Sequence, residues 1–90
     1  MHSYKISKLL QKKMQKLSKK DRHLHDQLLH KINEIVSVYG VEHYKNLHYN
    51  LKDSKRVHIG HFVLIFQLNK QRNEILFDDF DHHDVIYMKR

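Results

Sequence analysis

Six side chains in the second half of the chain can hold a phosphate or move a proton: Arg56, His58, His61, His82, His83 and Tyr87. A guanidinium presents a planar fork of donors that matches a phosphate bidentately. An imidazole accepts a proton when neutral and contacts an anion when protonated. Arg56 and His58 are separated by Val57 alone, so on a strand both project from one face. This spacing makes His58 a candidate general base or phosphate contact beside a fixed cation. Lys52 and Lys55 precede them in a charged stretch, where they can contact a nucleic-acid backbone or stand as solvated charges. Tyr87 follows Val85 and Ile86; it can stack on a base or assist a proton transfer, and it can equally cap a core.

The imidazoles also admit a metal reading. His58, His61, His82, His83 and Asp84 are ligand types that zinc accepts. No histidine pair among them has the helical spacing of a metalloprotease, and adjacent His82 and His83 would alternate faces on a strand. No metal and no cofactor is expected.

The elements that position these groups are bounded by composition. Ninety residues make one domain spanning residues 1–90. Lys and Arg number 17 against 10 Asp and Glu, giving a formal charge of +7. That balance calls for a polyanionic partner: nucleic acid, an anionic membrane surface or an acidic protein. The ten histidines make the charge sensitive to pH near neutrality. With no cysteine there is neither a disulfide framework nor a thiolate zinc site. No apolar run approaches the roughly 20 residues that span a bilayer. The first residues, Met1 to Lys5, lack the apolar stretch of a signal peptide. The expectation is a cytoplasmic protein without a membrane partner.

Along the first half, Ile6, Leu10, Met14 and Leu17 recur at helical spacing. Ser18 to Asp21 has the form of a capping box that would open a second helix. Leu24, Leu28, Ile32, Ile35, Val36 and Tyr39 form its apolar stripe, and Gly40 stands where a glycine ends a helix. His23, His25 and His30 fall on the polar side of that helix or its edge, as surface residues.

In the second half the period changes to two. Leu47, Tyr49 and Leu51 alternate with polar residues, and Val57 and Ile59 resume the alternation. Gly60-His61 suits a two-residue type II′ turn. Phe62 to Phe66 is wholly apolar, as a central strand covered on both faces would be. Asn69 to Asn73 reads as a turn, Ile75 to Phe77 as a further strand, and Val85 to Tyr87 as a short apolar close. The fold class is α+β: an N-terminal αα-hairpin packed on an antiparallel sheet of about four strands.

Two segments carry a resemblance. Arg56 to Phe66 reads RVHIGHFVLIF, and Phe80 to Tyr87 reads FDHHDVIY. They resemble, in order and spacing, two segments of the RelE/ParE toxin superfamily, written R-h-R-h-G-x-Y-R-h-h-Y and h-x-H-R-x-x-h-Y with h apolar. Arg56, Gly60, His82 and Tyr87 match most closely, and Tyr4 to Ser7 followed by two helices is similar to the family's opening. His58, Val63 and His83 stand where the family often has arginine, and valine cannot bind a phosphate.

The resemblance implies the toxin of a type II toxin–antitoxin pair: a metal-independent endoribonuclease that cleaves mRNA on the ribosome and stops translation. Attack of a ribose 2′-OH on the adjacent phosphate needs a proton acceptor, cations for the phosphorane and a donor for the leaving oxygen. On this reading Arg56, His58, His83 and Tyr87 are the catalytic set, with His83 near the position where some relatives carry a histidine acid. Lys52, Lys55, His61 and His82 are RNA contacts, His82 acting by orienting its neighbours. The partners implied are a cognate antitoxin, the ribosome and mRNA. Two alternatives remain open, because one fold carries several activities. One is a ParE-like inhibitor of DNA gyrase; the other is an inactive relative that binds RNA or antitoxin only.

Overall fold

The computed structural model describes residues 3–37, 54–69 and 72–88. Their elements run β1 (Ser3–Ile6), α1 (Lys8–Lys20), α2 (Arg22–Val36), β2 (Ser54–Ile59), β3 (Phe62–Asn69), β4 (Glu74–His82) and α3 (His83–Met88). The expected strand over Leu47 to Leu51, the helix end at Tyr39 and Gly40, and Lys52 lie outside the described residues.

The helical hairpin follows from its stripes. Leu10, Leu24, Leu28, Ile32, Ile35 and Val36 are buried, with Met14 and Leu17 packed against them. Ser7 caps α1, its Oγ accepting from the Leu10 N–H at 3.1 Å. The junction with α2 differs from the expected capping box. α1 continues through Ser18 to Lys20, and Asp21 caps α2 by accepting from the Leu24 N–H at 3.1 Å. Ser18 Oγ instead donates to the Gln15 carbonyl at 2.7 Å. Both residues are good caps by type; Leu17 belongs to the buried side of α1, so the helix runs on past it.

The sheet order is β1-β4-β3-β2. β2, β3 and β4 form the expected antiparallel meander, and the fourth described strand is β1, paired parallel to β4 from Ser3↔Glu74 to Ile6↔Phe77. The sheet is therefore mixed, and Ile6, expected on the first helix, ends a strand. Gly60 has φ +61, and Asn73 is the sole non-glycine with positive φ among the described residues. His61 thus has negative φ, which excludes a type I′ turn and fits type II′. β3 is central and covered on both faces, as its apolar run predicted. Leu64 and Phe66 join the helix-side core, while Val63 and Ile65 pack with Ile86 of α3. Pairing jumps from Ile65↔Asp79 to Phe66↔Phe77, leaving Asp78 as the extra residue of a bulge. The bulge brings both Phe77 and Phe80 to the helix-side core and turns Asp79 and Asp81 to the other face. No helix among the described residues is long and apolar enough to cross a membrane.

Candidate functional site

Strand alternation builds the site's first wall. Val57 and Ile59 pack on the helix side, so Arg56 and His58 project from the opposite face of β2. Register extends each into a row across the sheet: Arg56–Ile65–Asp79 and His58–Val63–Asp81. α3 forms the second wall. Its buried Ile86 rests on Val63 and Ile65, with Tyr87 against the same cluster. The His83 N–H donates to the His61 carbonyl at 2.8 Å, which ties the start of α3 to the β2–β3 turn. Asp84 in the first turn suits the positive end of that short helix.

The four residues expected to be catalytic come together there. An Nη1 hydrogen of Arg56 is donated to the Tyr87 hydroxyl, and the Arg56 Cζ lies 5.3 Å from the Tyr87 ring centroid. The Tyr87 and His83 rings are 4.5 Å apart. His83 in turn faces His58 at 5.7 Å, with the ring planes inclined by 30°. The chain of contacts therefore runs Arg56, Tyr87, His83, His58. His58 reaches solvent, yet its pKa is held below the ordinary imidazole value, first by partial withdrawal from water and then by the charges of Arg56 and His83. At neutral pH it is therefore an uncharged proton acceptor beside a permanent cation. His83 Nδ1 lies 3.5 Å from an Asp84 carboxylate oxygen. Such an array can hold a phosphate, accept one proton and offer a second imidazole.

The remaining expected contacts are placed elsewhere. His61 and His82 stack on each other at 6.2 Å, and His82 meets Phe62 edge-on at 5.6 Å. His82 thus continues the Phe80 row on the helix side of the sheet, away from His58 and His83. His82 Nδ1 accepts from the Asp84 N–H at 3.2 Å, a contact that orients the β4–α3 junction. Lys55 alternates with Arg56 and projects toward the helix side. Among the described residues, no three His, Asp or Glu side chains are placed to hold a metal ion.

One cluster of charges on the same sheet face lies outside the expected site residues. Lys13 of α1 donates to Asp79 Oδ1 and Asp81 Oδ2, each at 2.7 Å. The pKa of Asp81 is low overall: burial opposes its ionisation and is outweighed by hydrogen bonds from Lys13 and the His82 N–H and by the Lys13 charge, with the Asp79 charge opposing. Lys13 is raised, its own burial penalty being outweighed by hydrogen bonds to the two carboxylates and by their charges. The signal was present in the alternation Asp79-Phe80-Asp81, which puts two like charges on one strand face and demands a counter-ion.

No protein-family model matches the chain. A candidate toxin of Methanocaldococcus jannaschii, RelE4, is 44% identical over 91 residues, covering 100% of this chain and 95% of that protein. Among solved structures, the isolated RelE toxin of E. coli superposes with a TM-score of 0.75 at 14% identity, over 99% of this chain and 94% of the other. The RelBE2 toxin–antitoxin complex of Mycobacterium tuberculosis contains a chain matching at TM-score 0.74 and 12% identity, over 90% of this chain and 96% of the other. At these identities the structural likenesses establish the fold.

Proposed function

The chain belongs to the RelE-like toxin superfamily, and from that premise we propose that it cleaves messenger RNA on the translating ribosome until an antitoxin covers it. The observation that carries this reading is the contact chain Arg56–Tyr87–His83–His58 on an accessible sheet face. In the proposed step, neutral His58 takes the proton of a ribose 2′-OH as its oxygen bonds to the adjacent phosphorus. Arg56 neutralises the charge on the phosphorane, where a preorganised cation acts most strongly. The P–O5′ bond breaks as His83 in its protonated form donates to the leaving oxygen. The products are a 2′,3′-cyclic phosphate and a 5′-hydroxyl, and the two histidines have exchanged protonation states. Tyr87, hydrogen-bonded to Arg56, holds the guanidinium and offers a ring for base stacking. Neither a metal nor a cofactor enters this step. The Val63 that replaces a family arginine is buried under Ile86, so phosphate binding falls to Arg56 and the imidazoles.

The antitoxin of this reading lays an amphipathic segment over the same face. The site of action is the cytoplasm, where messages are translated. The test is purified protein added to a translating cell-free extract, with mRNA ends mapped by primer extension. New ends in translated messages that disappear with Arg56→Ala support the assignment. Intact messages and normal protein synthesis sink it. DNA damage on expression with messages left whole would instead favour gyrase as the target.

A further inference from the structure

α2 carries two stripes. Leu24, Leu28, Ile32 and Ile35 are buried in the core, and beside them His23, Gln27, His30 and Lys31 line a groove of about 430 Å³ whose other wall is His58, Ile59 and Gly60. β2 is the end strand of the sheet order among the described residues, and its last residue, Ile59, lines the groove with Gly60 of the following turn. At Gly60 a Cβ would meet no described atom within 4 Å. The groove shares His58 with the cluster of Arg56, Tyr87 and His83.

We infer that this groove receives the nucleotide of single-stranded RNA that flanks the phosphate held at Arg56 and His58. The inference rests on the proposed ribonuclease reading and extends it to a substrate subsite. The volume lies within the ~300–1,000 Å³ typical of small-molecule sites. Its chemistry suits a nucleotide: imidazole rings offer flat faces for a base, the Gln27 amide can read a base edge, and Lys31, whose ammonium rests 3.4 Å from Glu34 on the exposed side of α2, can turn to the sugar-phosphate backbone. Asp26 also lines the groove; its carboxylate lies 3.8 Å from the Arg22 guanidinium, which offsets part of its repulsion of phosphate and leaves an acceptor for a base amino group. Because His58 belongs to both places, a strand leaving the phosphate site enters the groove without crossing the apolar ground under α3.

The experiment is an NMR titration of the isotope-labelled full chain with a six-nucleotide RNA bearing 2′-methoxy groups, which binds without being cleaved. Resonances of His23, Gln27, His30 and Lys31 should shift together with those of Arg56, His83 and Tyr87. Lys31→Glu should weaken binding by about tenfold, the effect of losing one backbone cation and adding a repulsive charge. Arg56→Ala should weaken binding too, while the α2 shifts persist at higher RNA concentration. Shifts confined to the Arg56 face, unchanged by Lys31→Glu in a folded variant, overturn the subsite and leave the proposed function standing. Shifts confined to α2 retain a nucleotide site there and remove the path through Arg56. An unshifted spectrum overturns the subsite, and the ribosome-dependent reading then stands or falls on the primer-extension experiment.

Discussion

Lys13→Met tests the electrostatic reasoning directly. The ammonium is held by two charge-assisted hydrogen bonds of 2.7 Å, and the side chains of Lys13, Asp79 and Asp81 are 27%, 13% and 30% exposed. Exposed ion pairs contribute about 0–1 kcal/mol, and breaking a buried pair costs about 3–5 kcal/mol. These exposures fall between, and the Met side chain keeps the apolar stem, so the expected loss is about 2 kcal/mol at neutral pH. For a domain of this size that corresponds to a fall in Tm of roughly 8–16 °C. The pH dependence sets the sign. Asp81 has a depressed folded pKa, so its contribution is present above the ordinary value of 3.8 and disappears as pH falls through the folded value. Lys13 has a raised folded pKa, so its contribution is present below 10.5 and disappears as pH rises through the folded value. The wild-type advantage should therefore be flat between about pH 5 and pH 10 and shrink on either side. In the variant the two carboxylates repel, and mild acid should stabilise it relative to neutral pH. Urea denaturation of both proteins from pH 3 to pH 10 measures this. A difference below about 0.5 kcal/mol at pH 7, or one that is constant down to pH 3, would refute the reasoning.

Three further outcomes follow from the same geometry. If His58 is the proton acceptor, cleavage at fixed ribosome concentration should fall as pH drops through its lowered pKa, and His58→Gln should remove that acid limb along with most of the rate, about 100-fold or more. Ile86→Ala should cost about 2–3 kcal/mol and loosen α3, so that cleavage is lost more steeply than stability; unchanged cleavage would show that His83 and Tyr87 need no such anchor. Asp21→Ala should cost about 1 kcal/mol in thermal unfolding, and Ser18→Ala much less, because Asp21 is the residue that caps α2.

The helical hairpin and the meander were legible in the sequence because their signals are local. The buried stripe of α2 repeats at helical spacing, and the run from Phe62 to Phe66 is apolar at every position, so burial on both faces is written into consecutive residues. Gly60 marked its own turn, since its φ of +61 is one that other residues avoid. Arg56, His58, His83 and Tyr87 were nameable one by one, from residue type, strand alternation and the family resemblance. What sequence could not decide was what depends on distant neighbours. β1 is four residues whose strand state comes from pairing with β4, some 70 positions on, and no periodicity in so short a piece announces it. α3 is six residues, too short to display a helical period, and it is held by Ile86 on Val63 and Ile65. The bulge at Asp78, which turns Asp79 and Asp81 away from the core, exists only in the register between β3 and β4. Tertiary folding alone brings Tyr87 to Arg56 and His83 to His58, and it sets the polar stripe of α2 beside the same imidazole. Side-chain type and period are properties of a segment; the distance between two segments is a property of the packed core.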